Sequence, residues 1–152
     1  MKKTIITSIF ILVLGILLGT KIYDAKDSLL TTFNNKETYY FLQEGVYTSK
    51  QIMEENIKEF SAKAIEHTNN KYYVYVGITK EASIAKKIKS IYEDAGYQIY
   101  IKEIKIDNEE FSNNITQFDL LINSAITQEE ILTIEEVVLA NYEEIISKSS
   151  ID

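Results

Sequence analysis

An internal repeat between residues 39 and 106 constrains the fold more than any other feature of the sequence. Each copy consists of a predicted strand that ends near a glycine and is followed by an amphipathic helix. A shift of 32 positions places Gly77 on Gly45, and it aligns four further apolar pairs: Leu42 with Val74, Val46 with Ile78, Ile52 with Ile84, and Phe60 with Tyr92. One such unit cannot bury its own apolar face, so we expect both copies to share one sheet and one helix layer.

The first copy predicts a strand from Tyr39, a turn at Gly45 and a helix that begins with a capping box from Thr48 to Gln51. A second strand is predicted over residues 62–67. Asn69 and Asn70 follow it, and asparagine tolerates the left-handed backbone of a tight hairpin. These signals predict a strand, a helix and the start of a hairpin.

The second copy continues with a strand over residues 71–78, a helix capped by Thr79 and ended by Gly96, and a strand over residues 97–102. The inward positions of that helix are predicted to be Ala82, Ile84, Ala85, Ile88, Ile91 and Tyr92. The whole order is β-α-β-β-α-β. This order predicts an α+β, ferredoxin-like domain, in which a four-stranded antiparallel sheet carries two helices on one face and leaves the other face open.

The N-terminal segment is predicted to anchor the chain in a membrane. Two lysines in residues 1–3 precede an uncharged run over residues 4–20, and Ile22 and Tyr23 extend the apolar segment. We therefore expect a transmembrane helix over residues 4–23, with residues 1–3 in the cytoplasm and the remainder outside. The small-residue cleavage pattern of a signal peptide is missing, although a removed signal stays an alternative. Residues 24–37 are expected to form a linker.

Charge and composition exclude several classes of function. The net charge of -7 disfavours binding to nucleic acid, which needs a basic surface. The absence of cysteine excludes disulfides and thiolate metal sites, and one histidine is too few for the usual zinc site. Residues 1–106 carry 15 lysines and 12 acidic residues, whereas residues 107–152 carry one lysine and 11 acidic residues. The C-terminal third is therefore predicted to be a separate acidic unit.

Two helices are predicted in this acidic extension, over residues 117–125 and, after a cap at Thr127, to residue 146. The longer helix has an apolar stripe at spacings of three and four, formed by Ile131, Ile134, Val138, Tyr142 and Ile145. The pairs Glu135-Glu136 and Glu143-Glu144 are expected on the opposite, solvated side. The stripe must be buried somewhere, either on this domain or on a partner.

Alternation along the predicted strands places four polar or aromatic side chains on the open sheet face: Gln43, Tyr73, Tyr75 and Tyr100. Tyrosine offers a flat apolar ring and a hydroxyl, which together suit stacking on a sugar ring. We therefore expect this face to bind carbohydrate. Two alternatives stay open: tyrosine is common in strands without any binding role, and the acidic C-terminal helix could cover the face.

The tandem pattern also resembles a known family. An aromatic strand with Gln43 and Gly45, a capped helix, the segment Tyr73-Val74-Tyr75-Val76-Gly77, a second helix, Gly96 and a final strand are similar to the SPOR (sporulation-related repeat) domain of bacterial cell-wall proteins. The resemblance covers residues 38–106 and leaves out the extension over residues 107–152. Glu44 and Tyr75 differ from the residues that the family more often has there.

The resemblance implies that the domain binds peptidoglycan glycan strands with the open sheet face. Carried over to this chain, it implies a binding role for Gln43, Tyr47, Ser49, Tyr73 and Tyr75; Tyr100 is added from the alternation of the last strand. The expected function is that of a membrane-anchored wall protein localised to sites of remodelling in division or sporulation.

An alternative function is an extracytoplasmic adaptor for the division or sporulation machinery, which would dock a partner protein through the acidic C-terminal helix. An enzyme is not expected. Glu54, Glu55 and Glu59 lie on the polar side of a predicted helix, His67 is expected at the surface, and no G-x-S-x-G motif accompanies it. No cofactor or metal ion is predicted.

Overall fold

The computed structural model describes residues 36–149, which form four strands and four helices. In chain order the elements are β1 (Glu37–Tyr47), α1 (Lys50–Ile57), β2 (Ala64–Thr68), β3 (Lys71–Thr79), α2 (Ala82–Asp94), β4 (Tyr100–Ile106), α3 (Glu109–Ser124) and α4 (Gln128–Ser149). The strands form one antiparallel sheet in the order β2-β3-β1-β4. The predicted α+β class and four-stranded antiparallel sheet are confirmed.

The predicted transmembrane helix at residues 4–23 lies outside the described residues, as does nearly all of the linker over residues 24–37. Within residues 36–149, no helix has both the length and the apolar character needed to cross a bilayer.

The pairing of β1 with β3 carries the symmetry of the sequence repeat. Leu42 pairs with Gly77, Gly45 pairs with Val74, and the 32-residue shift exchanges these two pairs. The outer pairs obey the same rule: Phe41 with Ile78 and Val46 with Tyr73, then Tyr40 with Thr79 and Tyr47 with Tyr72. The central pair, Gln43 with Tyr75, maps onto itself and is flanked by two shifts of register. The repeat therefore folds as two halves related by a local pseudo-two-fold axis at this pair.

The face that carries Leu42 packs against α2. A Cβ atom on Gly77 would lie 3.1 Å from Leu42 Cδ1 and 3.3 Å from Ile88 Cγ2, so glycine lets α2 approach the sheet closely. Phe60, just beyond α1, packs on Tyr92 of α2 with 5.5 Å between ring centroids. The segment that follows α1 therefore packs against α2 beside this face. The predicted inward residues of α2 are buried except Ala82, which is exposed.

The opposite face is covered by α3 and α4, so the prediction of an open face is wrong over much of the sheet. Ring centroids lie 5.2 Å apart between Tyr39 and Phe111 of α3, and 5.1 Å apart between Phe41 and Tyr142 of α4. The apolar stripe of α4 and the sheet belong to one hydrophobic cluster. The acidic C-terminal third thus shares its core with the repeat instead of forming a core of its own, and the sheet lies between two helical layers.

Local signals fixed several turns and caps as predicted. Asn69 and Asn70 have φ angles of 50° and 59°, and Gly96 has a φ of 92°, all in the left-handed region. The Thr127 hydroxyl accepts a hydrogen bond from the Glu130 N–H group at 3.2 Å, as an N-terminal cap of α4 should.

Other boundaries differ from the prediction. Ser49, not Thr48, occupies the N-cap of α1 and accepts from the Ile52 N–H group at 3.4 Å. Glu81 occupies the N-cap of α2, and the Thr79 hydroxyl instead donates to Asp119 and accepts from the Glu81 N–H group. The helix predicted at residues 117–125 begins eight residues earlier, at Glu109, because Asn108 caps it. The first strand residue of β4 is Tyr100, three positions later than expected.

Candidate functional site

Four predicted binding residues share one side of the sheet. Gln43 pairs with Tyr75 of β3 and with Tyr100 of β4, and residues directly opposite each other in antiparallel strands place their side chains on the same face. Tyr73 lies two positions before Tyr75 on β3, so it faces the same way, and Val46 is its partner on β1. Gln43, Tyr73, Tyr75 and Tyr100 therefore lie on one face, as the alternation predicted.

Tyr75, however, is buried. Its side chain is 4% exposed and makes edge contacts with the rings of Phe41 at 5.0 Å and Tyr142 at 6.1 Å. Burial, with a smaller contribution from the negative charge of Glu66, raises the pKa of Tyr75 to about 12. The expectation that Tyr75 lies on an open face is wrong because α4 packs over it, which is the alternative that the sequence left open.

The other predicted residues on this face, and the neighbouring Val46, keep accessible surface. Val46 is 43% exposed and Tyr100 is 47% exposed, while Gln43 and Tyr73 are half-buried. We call these four residues the uncovered corner. They lie where β1 ends and where β3 and β4 begin, so all are at one end of the sheet. The corner combines two phenol rings, one amide and one apolar side chain, which can stack on a ring and hydrogen-bond its edge.

Tyr47 and Ser49 do not join the corner. Tyr47 pairs with Tyr72 and, being adjacent to Val46 on β1, points to the other face. Its hydroxyl donates to the Glu44 carboxylate, with both oxygens at 2.9 Å. Burial and this hydrogen bond raise the pKa of Tyr47 to about 12. The Ser49 hydroxyl is used as the cap of α1.

Two buried carboxylates were missed by the sequence reasoning. Glu135 of α4 is fully buried, and its Oε2 atom accepts a hydrogen bond from the Ile78 N–H group at 3.0 Å. Asp119 of α3 is 3% exposed and accepts from the Thr79 hydroxyl at 2.6 Å and from the Lys80 N–H group at 2.9 Å. The expectation that Glu135 lies on the solvated side of its helix is wrong.

The position of these carboxylates follows from the sheet. Strand β2 pairs with β3 only as far as Tyr75, so the outer edge of β3 beyond that residue has no strand partner among the described residues. Asp119 and Glu135 bind the N–H groups of that edge and hold α3 and α4 against it. Helical spacing contained the signal, because Glu135 is four residues after Ile131 and seven before Tyr142.

Burial perturbs both carboxyl groups. Desolvation raises the pKa of Asp119 to about 6, even though its two hydrogen bonds act in the opposite direction. Desolvation also raises the pKa of Glu135 well above its ordinary value, and the nearby Asp119 charge adds to the effect. Both groups are therefore more easily protonated in the folded protein than in the unfolded chain.

Other candidate chemistry is sparse in the part of the chain that the structure describes. No group of three or more histidine, aspartate or glutamate side chains in residues 36–149 is arranged to hold a metal ion. His67 is exposed, as expected, and stacks on Tyr72 with 4.3 Å between ring centroids.

Comparisons with protein-family models, curated proteins and solved structures found no match to this chain.

Proposed function

We propose that this protein is a membrane-anchored, extracytoplasmic wall protein whose SPOR-like domain binds peptidoglycan glycan strands through the uncovered corner. Binding would localise it to sites of wall remodelling in division or sporulation. The observation that carries the proposal is the position of Gln43, Tyr73 and Tyr100, which share one face at one end of the sheet and keep part of their surface accessible.

The spacing of these side chains suits an extended sugar chain. The strands that carry Tyr73 and Tyr100 lie on either side of β1, about 10 Å apart across the sheet. Gln43 lies on the strand between them and can donate and accept hydrogen bonds. Two apolar platforms with an amide between them offer contacts to successive rings of one chain.

Three features support the SPOR-like interpretation. The element order of the repeat is β-α-β-β-α-β, the strand order is β2-β3-β1-β4, and the register is symmetric about Gln43 and Tyr75. In this proposal Tyr75 stabilises the uncovered corner through its packing on Phe41 and Tyr142. Tyr47 and Ser49 make no contact with the glycan.

The adaptor alternative depended on an apolar stripe of α4 that was free to bind a partner. Four residues of the stripe are buried within the domain, namely Ile131, Ile134, Val138 and Tyr142, and Ile145 is partly buried against the same core. The apolar stripe of α4 is therefore already packed against the domain. A partner protein could dock through this stripe only if α4 left the sheet. We therefore do not propose that mode of binding.

The test is co-sedimentation of the full-length chain, kept in detergent, with purified wall sacculi before and after an amidase removes the stem peptides. Binding should increase after amidase treatment, because more bare glycan is exposed. Tyr73→Ala should weaken binding by about fivefold or more, the loss typical of a residue that anchors an interface. The matched control is Tyr72→Ala, the neighbouring tyrosine on the opposite face, which should bind as the wild type does.

Two results would contradict the proposal. One is absence of sedimentation with either form of sacculi. The other is an equal loss for Tyr73→Ala and Tyr72→Ala, which would indicate general destabilisation instead of a contact at the corner.

A further inference from the structure

The second accessible feature of the domain is the outer edge of β2. This strand lies at one margin of the sheet, and the Ile65 N–H group points away from β3 and donates to Glu143 Oε1 of α4 at 2.9 Å. Outward-directed backbone groups alternate along an antiparallel edge, so the N–H and C=O groups of His67 point the same way. The edge therefore offers backbone groups that no strand of residues 36–149 pairs.

A groove runs between this edge and the last turns of α4. Its volume is about 520 Å³, which is within the range of about 300–1,000 Å³ typical of ligand sites. Ile65 and Ile146 contribute apolar surface, while Glu66 and Glu143 contribute carboxylates. The groove is thus large enough for more than a single ion, and it combines a strand edge with negative charge.

The electrostatics of the groove favour a cationic occupant. None of the described residues that line it is a lysine or an arginine. The Tyr142 hydroxyl donates to Glu66 Oε2 at 3.0 Å, and the Ile65 N–H group holds Glu143, so both carboxylates are positioned before any ligand arrives. A second copy of this chain would bring the same carboxylates against each other across the edge, so self-association there is opposed by charge.

We propose that this groove docks an extended peptide segment of a partner protein that carries lysine or arginine side chains. The segment would add as a strand beside β2, with backbone hydrogen bonds at His67 and a cationic side chain on the Glu143 carboxylate. The groove adjoins the uncovered corner, because Glu66 pairs with Tyr73, but the proposed peptide contacts at His67 and Glu143 do not depend on glycan binding.

The test uses the full-length chain in detergent and a fluorescent peptide of alternating lysine and valine, with a glutamate-valine peptide of equal length for comparison. Fluorescence anisotropy should show saturable binding of the lysine peptide and none of the glutamate peptide. Glu143→Gln should weaken binding by about fivefold, because glutamine keeps the acceptor for Ile65 but loses the charge. The matched control is Glu136→Gln, two helical turns earlier on α4, which removes the same charge outside the groove and should leave the affinity unchanged.

A second probe separates strand addition from simple charge attraction. Methylating the backbone nitrogen of every second residue of the lysine peptide removes the hydrogen-bond donors along one edge of the extended peptide, and methylating the remaining nitrogens removes those along the other edge. One of these two peptides should lose binding, and the other should keep it. Equal binding of both methylated peptides would overturn the proposal. So would equal weakening by Glu143→Gln and Glu136→Gln, or failure of the lysine peptide to bind.

Discussion

Substituting Asp119 should change how stability depends on pH. The Asp119 carboxyl group lies between α3 and the end of β3, where it accepts from the Thr79 hydroxyl and the Lys80 N–H group. Burial raises its pKa from 3.8 to about 6. Because the folded state binds this proton more tightly than the unfolded chain does, the contribution of Asp119 to stability is complete below about pH 4 and is lost as the pH rises through about 6.

The size of the effect follows from that interval of pKa. One pKa unit corresponds to about 1.4 kcal/mol, so ionisation of Asp119 should lower the free energy of unfolding by about 2.5 kcal/mol between pH 4 and pH 7.5. Asp119→Asn is neutral throughout and keeps one oxygen as an acceptor. The stability of the wild type relative to Asp119→Asn should therefore fall by about 2.5 kcal/mol across this range.

Urea unfolding at steps of half a pH unit from pH 4 to pH 7.5 measures the difference in free energy of unfolding between the two proteins. The contributions of most other titrating groups are the same in both proteins and cancel in this difference. Glu135 is close enough to couple to Asp119, so carbon NMR of the Asp119 carboxyl group should accompany the unfolding series and report its titration directly. A stability difference that is constant with pH, together with an NMR midpoint near 4, would refute the reasoning.

Four further substitutions test the packing and the backbone. Ile88 is fully buried, so Ile88→Ala should lower the free energy of unfolding by about 2–5 kcal/mol. The Ile52 side chain is 55% exposed, so Ile52→Ala should change the free energy of unfolding by less than about 0.5 kcal/mol. Equal losses for the two variants in urea unfolding would contradict the fold. Tyr142→Phe should cost about 1 kcal/mol through loss of the hydrogen bond to Glu66, and an unchanged thermal midpoint would show that this bond is not formed. Gly96→Ala should cost about 1 kcal/mol from its φ of 92°, since nothing lies within 4 Å of an added Cβ; a stabilised variant in the same assay would argue against that conformation.

The repeat made the centre of the fold predictable. A shift of 32 residues correctly aligned β1 with β3, and the structure pairs these strands with that symmetry. Asn69, Asn70 and Gly96 were predictable because a positive φ is costly for most other residues. Alternation along the strands correctly placed Gln43, Tyr73, Tyr75 and Tyr100 on one face.

The packing of α3 and α4 over that face was harder to predict, because it depends on contacts between residues far apart in sequence. Acidic composition suggested that the C-terminal third stands apart, yet the carboxyl group of Glu135 is turned inward and accepts a hydrogen bond from the Ile78 N–H group. Residue type alone does not separate such a buried carboxylate from a solvated one. Its helical spacing from Ile131 and Tyr142 was the better guide.

The measurement that tests glycan binding most directly is an NMR titration of the full-length chain in detergent with glycan strands stripped of stem peptides. The side-chain amide of Gln43 and the rings of Tyr73 and Tyr100 should shift together with one saturation curve, while the ring of Tyr47, on the opposite face, should not. Shifts centred on Tyr47, or no shifts at the uncovered corner at saturating glycan, would contradict the proposed function.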